Sequence, residues 1–573
     1  MAEFELNLNM EELEKRTSKE YLTEKKMLSP DSKEYLELDE NDKIALKHLV
    51  KAAYILEKIN TILDNRQNLP FKNWLEDEIK KGNKQAELTK ILYDAQKGIC
   101  AIDTESNKIS LAKNIIELPQ KGLYPEDLTI EEFHKILIKM LNENKIDEVK
   151  KILNQRSVVE RKDDELIAID YIDYFKDDFS LMADELILAS NVSTNKDFNE
   201  YLKLQAEALK KADPMLDAKA DIKWATLQNT PLEFTITREN YQDEMTETVY
   251  ENDELHGLLK KYDIEPVSKD FLGGRVGIIN KKGTEALLKI KDYLPILASN
   301  MPYKDEYEQN IGHNDNKQTM VDVDLVAVTG NVGEFRGGIT LAENLPNNDK
   351  LSIKMGGGRR NVYHRQIRTA DPVKLQKRLD KILDKSQHKY YLDEADHWFT
   401  IGHENAHSLG PNKGTEALGK YTSIIEENKA DMGSLAFVDL LHELGYYTKE
   451  QRKQIIVTFI ADCFLKSKPE LSQAHRVRTV MQNYFLFREG AYNLTSDNKI
   501  FVNIDKVVPA AKKMLNTIIR IQMSKRFSEG EKYVKENFIW TNEMEIIANK
   551  LKEVNKTLNG TVVSTLAEKL LKD

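Results

Sequence analysis

A chain of 573 residues is too long for one small core and points to about two to four domains. Its 40% hydrophobic and 31% charged residues are ordinary for a soluble globular protein, and a net charge of −11 argues against general affinity for nucleic acid or an anionic membrane. The chain opens without a basic-then-apolar leader pattern, no window holds the ~18–20 apolar residues of a membrane span, and Cys100 and Cys463 are isolated in apolar settings, so a cytoplasmic, reducing location is expected.

From about Asp42 to Gln228 the pattern is helical. "DKIALKHLVKAAYILEKINTIL" repeats apolar residues at three- and four-residue spacing, and "LILASNVSTNKDFNEYLKLQAEALKKA" does so on either side of a Ser/Thr/Asn break that suits a new helix cap. "KGLYPEDLTIEEF" reads as a turn with Pro125 ahead of a Thr129-x-x-Glu132 capping pattern. Between about 230 and 370, "LEFTITREN", "GGRVGIIN", "MVDVDLVAVTG" and "RGGITLAENLP" are short, β-branched and bounded by Gly, Asn or Pro, as strands are. "MGGGRRNV" lacks the Lys-Ser/Thr of a phosphate loop and reads as a glycine turn. After about Asp371 helices return and continue almost to the end.

The later helical part carries "FTIGHENAHSLGP", residues 399–411. Side chains four apart share a helix face, so His403 and His407 can direct ring nitrogens at one ion. Zinc takes imidazole nitrogen at about 2.0–2.1 Å, and a catalytic site keeps three protein ligands and an open position. Glu404 lies one position along, where it can take a proton from water rather than bind metal. The residues around the motif are apolar at Trp398, Phe399, Ile401, Ala406 and Leu409, so the helix is partly buried and its imidazoles need partners. Gly410-Pro411 then stops the helix, and "YTSIIEENKADMGSLAFVDLL" begins another. Glu426, Glu427 and Asp431 in that apolar helix would be costly unless paired or bound to metal. Glu427 and Asp431 share a face, so one can ligate zinc while the other accepts a hydrogen bond from a ligand histidine.

His403-Glu404-Asn405-Ala406-His407 followed by Glu426-Glu427-Asn428-Lys429-Ala430-Asp431 resembles the paired motifs of the dipeptidyl peptidase III family of zinc exopeptidases. The resemblance spans roughly residues 120–540 and includes "GLYPEDLTIEEF", "ENYQDEM", "GGRVGIINKK", "ENLPNND", "RRNV" and "QAHRVRTVMQNYFLFREGAY". Most family members have a sixth residue in the first motif, whereas this chain has the five-residue form.

The resemblance implies one zinc ion per chain, held by His403, His407 and Glu427, with Glu426 and Asp431 steadying the histidines. It implies Glu404 as general base, Tyr241 and His475 as donors to the developing oxyanion, and Glu239, Asn344, Asn347 and Arg478 as substrate-binding residues. The expected substrates are short peptides with a free N-terminus, from which dipeptides are released. A weakly catalytic peptide-binding protein of the same fold, and a zinc aminopeptidase releasing single residues, are the alternatives. Neither nucleic acid nor membrane is an expected partner, and the protein is expected to be a monomer or homodimer.

The expected fold is α+β and mainly helical, with two lobes separated by a cleft: a helical zinc-bearing lobe and a mixed lobe with a small sheet or barrel. The expected boundaries are 1–272 for the mixed lobe, 273–325 for an inserted part of the zinc lobe, 326–370 returning to the mixed lobe, and 371–573 for the zinc lobe.

Overall fold

A computed structural model describes residues 4–102, 108–113, 115, 119–211, 214–239, 243–309, 319–330, 332–333, 342–345, 355, 360–365, 372–411, 413–471, 473–554 and 559–573. They are mainly helical and include a curled sheet, as the α+β reading expects. Among them, no helix is long and apolar enough to cross a membrane.

The chain divides into two compact units: residues 1–279, 324–339 and 557–573 form the first, and residues 280–323 and 340–556 the second. In the first, a strand β1 (Leu22–Lys26) precedes the long helix α1 (Glu40–Asp64), whose Asp39 cap accepts a hydrogen bond from the Asn41 amide. Leu46, Leu49, Ala53 and Leu56 form its buried stripe. Helix α2 (Ile130–Asn142) starts where Thr129 caps the Glu132 amide at 3.1 Å. The Glu132 carboxylate accepts from the Arg161 guanidinium at 2.8 and 2.9 Å. Helix α3 (Lys176–Val192) buries Met182, Ala183 and Leu186 and packs against α1. The Ser/Thr/Asn break then separates it from α4 (Lys196–Lys211). Asn195 accepts from the Phe198 amide at 3.0 Å, while Ser193 and Thr194 donate to the buried Asp42 carboxylate at 2.7–2.9 Å.

Strands β2 (Leu232–Glu239), β3 (Phe271–Ile279), β4 (Thr319–Val328), β5 (Ala342–Leu345) and β6 (Arg360–Arg365) make one five-stranded sheet in the order β2-β3-β4-β6-β5. β2 and β3 are antiparallel from Leu232 opposite Ile278 to Glu239 opposite Phe271, and β6 and β5 are antiparallel with Asn361 opposite Asn344. β6 is absent from the strands read in the sequence. Arg360, Asn361, His364 and Arg365 hide its period, although its first five residues are buried.

The second unit packs α5 (Asp393–His407), α6 (Thr422–Ala436), α7 (Lys449–Asp462), α8 (Ala474–Arg488) and α9 (Ile504–Ser524) into one core. α6 is its centre: it touches α5, α8 and α9 and is buried almost throughout from Asn428 to Ala436.

The compact units depart most from the sequence-based division at two places. The return to the first unit ends at residue 339 rather than 370, with β5 and β6 in the second unit, where Tyr363 joins the core. The final residues leave the helical unit, because β7 (Asn559–Val563) pairs in parallel with β1 and α10 (Thr565–Lys572) buries Leu566, Ala567 and Leu570 beside α1.

Candidate metal centre

Helix α5 concentrates Asp393, Glu394 and Asp396 in its first turn, where carboxylates complement the positive helix end. It ends at His407; Gly410, whose φ of +85° lies in the left-handed region that glycine adopts at low cost, then turns the chain, and Pro411 prevents continuation. Small residues let α6 come close. A Cβ on Gly402 would lie 2.3 Å from Ser434 Oγ, and one on Gly433 would lie 2.8 Å from the Ala406 Cβ. This close approach brings the two motifs within ligand range of each other.

His403, His407 and Glu427 converge, with one ligand atom from each lying within 4.8 Å of the others. The two Nε2 atoms are 3.1 Å apart, and Glu427 oxygens stand 3.5 Å from His403 Nε2 and 3.9 Å from His407 Nε2. A tetrahedral ion with bonds of about 2.0–2.1 Å separates its ligand atoms by roughly 3.3–3.4 Å, so the three donors bracket that spacing. His403 Nδ1 lies 2.6 Å from Asp431 Oδ1, and His407 Nδ1 lies 2.9 Å from Glu426 Oε1. A carboxylate only accepts, so these contacts assign the ring hydrogens to Nδ1 and leave both Nε2 lone pairs facing each other. Two facing lone pairs repel unless a proton or a cation lies between them.

The charge balance points the same way. Glu404, Glu426, Glu427 and Asp431 gather around two basic side chains, Arg478 and Lys429. With ionised carboxylates and neutral imidazoles, two negative charges remain uncompensated in a largely buried cluster, which one divalent cation would balance. The donor set therefore fits a metal such as zinc.

Burial pushes the Glu404 carboxyl up, against the pull of His403 and His407; the residue is 7% exposed. For Glu426, burial is outweighed by Lys429 and the His407 hydrogen bond, and its pKa falls to about 2. For Glu427 the facing His475 and Arg478 overcome burial and hold the carboxyl well below the usual range. Burial disfavours the charged form of His407, yet Glu426 and Glu427 raise its pKa.

His475 stands in the first turn of α8, its side chain 66% exposed, with Nδ1 3.4 Å from Glu427 Oε2. Arg478, expected to bind substrate, has other partners: Nη1 pairs with Glu427 Oε2, and Nε lies 2.9 Å from Asp431 Oδ2 at ion-pair distance but without hydrogen-bond alignment. One turn beyond His475, a guanidinium meets the partly buried Glu427 and the buried Asp431.

Tyr241 and Asn347 lie outside the described residues. Glu239 ends β2, and Asn344 sits in β5 opposite Asn361.

Lys429 is a residue to which the sequence reading gave no role. Fully buried, its Nζ donates to the His407 carbonyl at 3.2 Å and to Glu426 Oε1 at 2.9 Å, fastening the end of α5 to α6. Its signal in the sequence is a lysine three residues after Glu426, the spacing at which two helical side chains can pair.

No protein-family model matches the chain. Nudix hydrolase 3 of Arabidopsis thaliana is 23% identical over 545 residues, covering 85% of this chain and 66% of that protein. The chain thus spans just under two thirds of the curated relative it matches. The structure of DPP III (dipeptidyl peptidase III) from Caldithrix abyssi matches with a TM-score of 0.79 and 23% identity, over 97% of this chain and 100% of that one. That of dipeptidyl-peptidase III from Corallococcus sp. strain EGB matches with a TM-score of 0.76 and 19% identity, over 98% of each chain. The chain has the fold of these dipeptidyl peptidase III structures.

Proposed function

We propose that the protein is a zinc peptidase that releases dipeptides from the N-terminus of short peptides, working in the cytoplasm as a monomer or homodimer. One observation carries the reading: two imidazoles whose Nδ1 atoms are committed to carboxylates present bare Nε2 atoms to each other beside Glu427. The dipeptidyl peptidase III fold supports this choice of hydrolase. The name of the plant relative is not carried over, since it belongs to a protein matched over only 66% of its length.

His403, His407 and Glu427 would hold the ion. Zinc, when bound, supplies Lewis acidity to the scissile carbonyl and to water. Glu404 is the general base that takes a proton from the attacking water and returns it to the leaving amine, and burial, by raising its pKa, makes it the stronger base. His475, exposed and next to Glu427, donates to the developing oxyanion together with Tyr241. Arg478 holds Glu427 and Asp431 in place in addition to any contact with substrate. Glu239, Asn344 and Asn347 supply the acceptor oxygens that a peptide ammonium needs.

The test incubates zinc-loaded protein with N-terminally free peptides of four to eight residues and weighs the products. Dipeptide release that disappears in Glu404→Gln, with zinc retained, is the expected result. Single-residue release would identify an aminopeptidase instead, and peptide binding without turnover would identify a binding protein.

A further inference from the structure

Behind the two carboxylates that meet the histidines lies a matched pair of buried amides. Glu426 uses Oε1 for His407 and Lys429, and its other oxygen, Oε2, accepts from Gln522 Nε2 of α9 at 2.7 Å. Asp431 uses Oδ1 for His403, and its Oδ2 accepts from Gln482 Nε2 of α8 at 2.9 Å, with Arg478 Nε at ion-pair distance from the same oxygen but not aligned for a hydrogen bond. The same Gln482 amide donates to Asn428 Oδ1 at 3.1 Å, one turn before Asp431 on α6. Both glutamines are 1% exposed.

A glutamine is costly in an apolar core, and α9 surrounds Gln522 with Ile518, Ile519 and Ile521. Its carbonyl Oε1 has no hydrogen-bond partner among the described residues. The amide orientation is set by the acceptor it faces, because turning it round would put Oε1 against Glu426 Oε2. Gln522 is thus held for its NH₂ alone. Packing would be served as well by leucine or methionine, so the contact with Glu426 is what distinguishes the residue.

We propose that Gln482 and Gln522 are positioning residues of the metal centre, each locking one histidine through one carboxylate. A carboxylate bound on one oxygen can still turn about its last torsion, which swings the Nδ1 contact and with it the Nε2 lone pair. A second bond on the other oxygen removes that freedom. A neutral donor does this without adding a further cation to the Lys429 ammonium on Glu426 and the Arg478 guanidinium beside Asp431. The two relays run from separate helices, Gln522–Glu426–His407 from α9 and Gln482–Asp431–His403 from α8, so the packing of both helices is coupled to ligand aim.

The proposal rests on the zinc reading above. The experiment measures zinc affinity of the full chain by competition with a chromophoric chelator, and the visible absorption of the cobalt-substituted protein. Gln522→Met and Gln482→Met keep length and volume and remove the donor. Each is expected to weaken zinc by on the order of 3- to 10-fold, less than the roughly 10- to 100-fold typical of removing the carboxylate itself. Each should also change the cobalt band. The decisive arm is a cycle: in a Glu426→Ala background Gln522→Met should cost no further affinity, and in Asp431→Ala the same should hold for Gln482→Met. A purely structural residue would cost the same in both backgrounds. The relays are independent, so either one remains readable if a variant of the other fails to fold. Wild-type affinity in both methionine variants, or losses that persist unchanged in the alanine backgrounds, would overturn the proposal. Absence of zinc binding by the wild-type chain would overturn the zinc reading itself, and this inference with it.

Discussion

Adding one methyl group to α6, in Gly433→Ala, tests whether the close approach of the two motif helices sets the metal centre. The new Cβ would lie 2.8 Å from the Ala406 Cβ, a contact between two short, rigid groups. Ordinary carbon–carbon contact begins near 3.5 Å, so the helices must part by roughly 0.7 Å. Stability changes little: overpacking costs about 1–3 kcal/mol, and alanine recovers about 1 kcal/mol of helix propensity over glycine. Metal binding is less forgiving, because ligand distances are tolerated only to within about 0.2 Å. Glu427 lies on α6 and both histidines on α5, so the displacement falls across the ligand set. The expected result is a fall in zinc affinity of at least ~10-fold, about 1.4 kcal/mol, with metal-free unfolding free energy within ~2 kcal/mol of wild type. Chelator competition and urea unfolding measure the two quantities. Ala406→Gly removes the opposing methyl, so the double variant should recover most of the affinity at some cost in helix stability. Unaltered zinc binding in Gly433→Ala would refute the argument, and so would a loss that Ala406→Gly does not repair.

Three further outcomes follow from the same geometry. Glu427→Ala should abolish stoichiometric zinc, whereas Glu426→Ala should retain it with affinity reduced by about 10- to 100-fold; equal zinc content in wild type and Glu427→Ala, read by atomic absorption, would show that the third ligand lies elsewhere. Arg478→Met leaves Glu427 and Asp431 without their cation, so the metal-free protein should lose about 3–5 kcal/mol, and zinc should raise the melting temperature more than in wild type; calorimetry with and without zinc decides this. Glu132 has its carboxyl held below its ordinary value by the Arg161 hydrogen bonds, against a small opposing effect of burial. Its contribution is therefore complete above the unfolded value near 4.5 and is lost as pH falls through the lower folded one. Arg161→Met should flatten the acid limb of the stability profile below about pH 4.5, and identical acid limbs in the two proteins would count against the pairing.

What the sequence reveals of this site is what periodicity and motif spacing can encode. His403 and His407 are i and i+4, and Glu427 and Asp431 are i and i+4, so each pair is placed on one face before any tertiary contact is known. The helices from Asp42 to Gln228 and after Asp371 were legible because their apolar stripes run for many turns. β2, β3 and β4 were legible because β-branched residues end at glycine, asparagine or proline. β6 was not: its "RNVYHR" has polar residues at buried positions, a choice that makes sense only beside their partners. The carboxylate partners of Arg478 are likewise hidden in its own segment, because it is α6 that places two carboxylates within reach of its guanidinium. The C-terminal strand also escaped, because its partner β1 lies more than 500 residues away in the chain.

The five-residue form of the histidine motif has a geometric consequence. At about 100° per residue, side chains four apart on a regular helix differ by about 40° around the axis, and side chains five apart by about 140°. The short form therefore aims both imidazoles at one point with no distortion, consistent with the uninterrupted run of α5 from Asp393 to His407. Asn405, two residues past His403, is rotated about 160° from it and faces the opposite side. There its Nδ2 donates to the Ile401 carbonyl at 2.7 Å and to Tyr363 Oη of β6 at 3.2 Å. Asn361 of the same strand reaches that hydroxyl at 3.4 Å, near the limit of a hydrogen bond. The regular helix thus presents its metal face to α6 and its Asn405 face to the sheet at once. An extra residue after Asn405 would leave the sheet contact in place and turn His407 by about 100° away from Glu426, unless the added residue were absorbed in a bulge. The sheet contact and the ligand spacing thus impose the same requirement on α5, and the short motif meets both without a bulge.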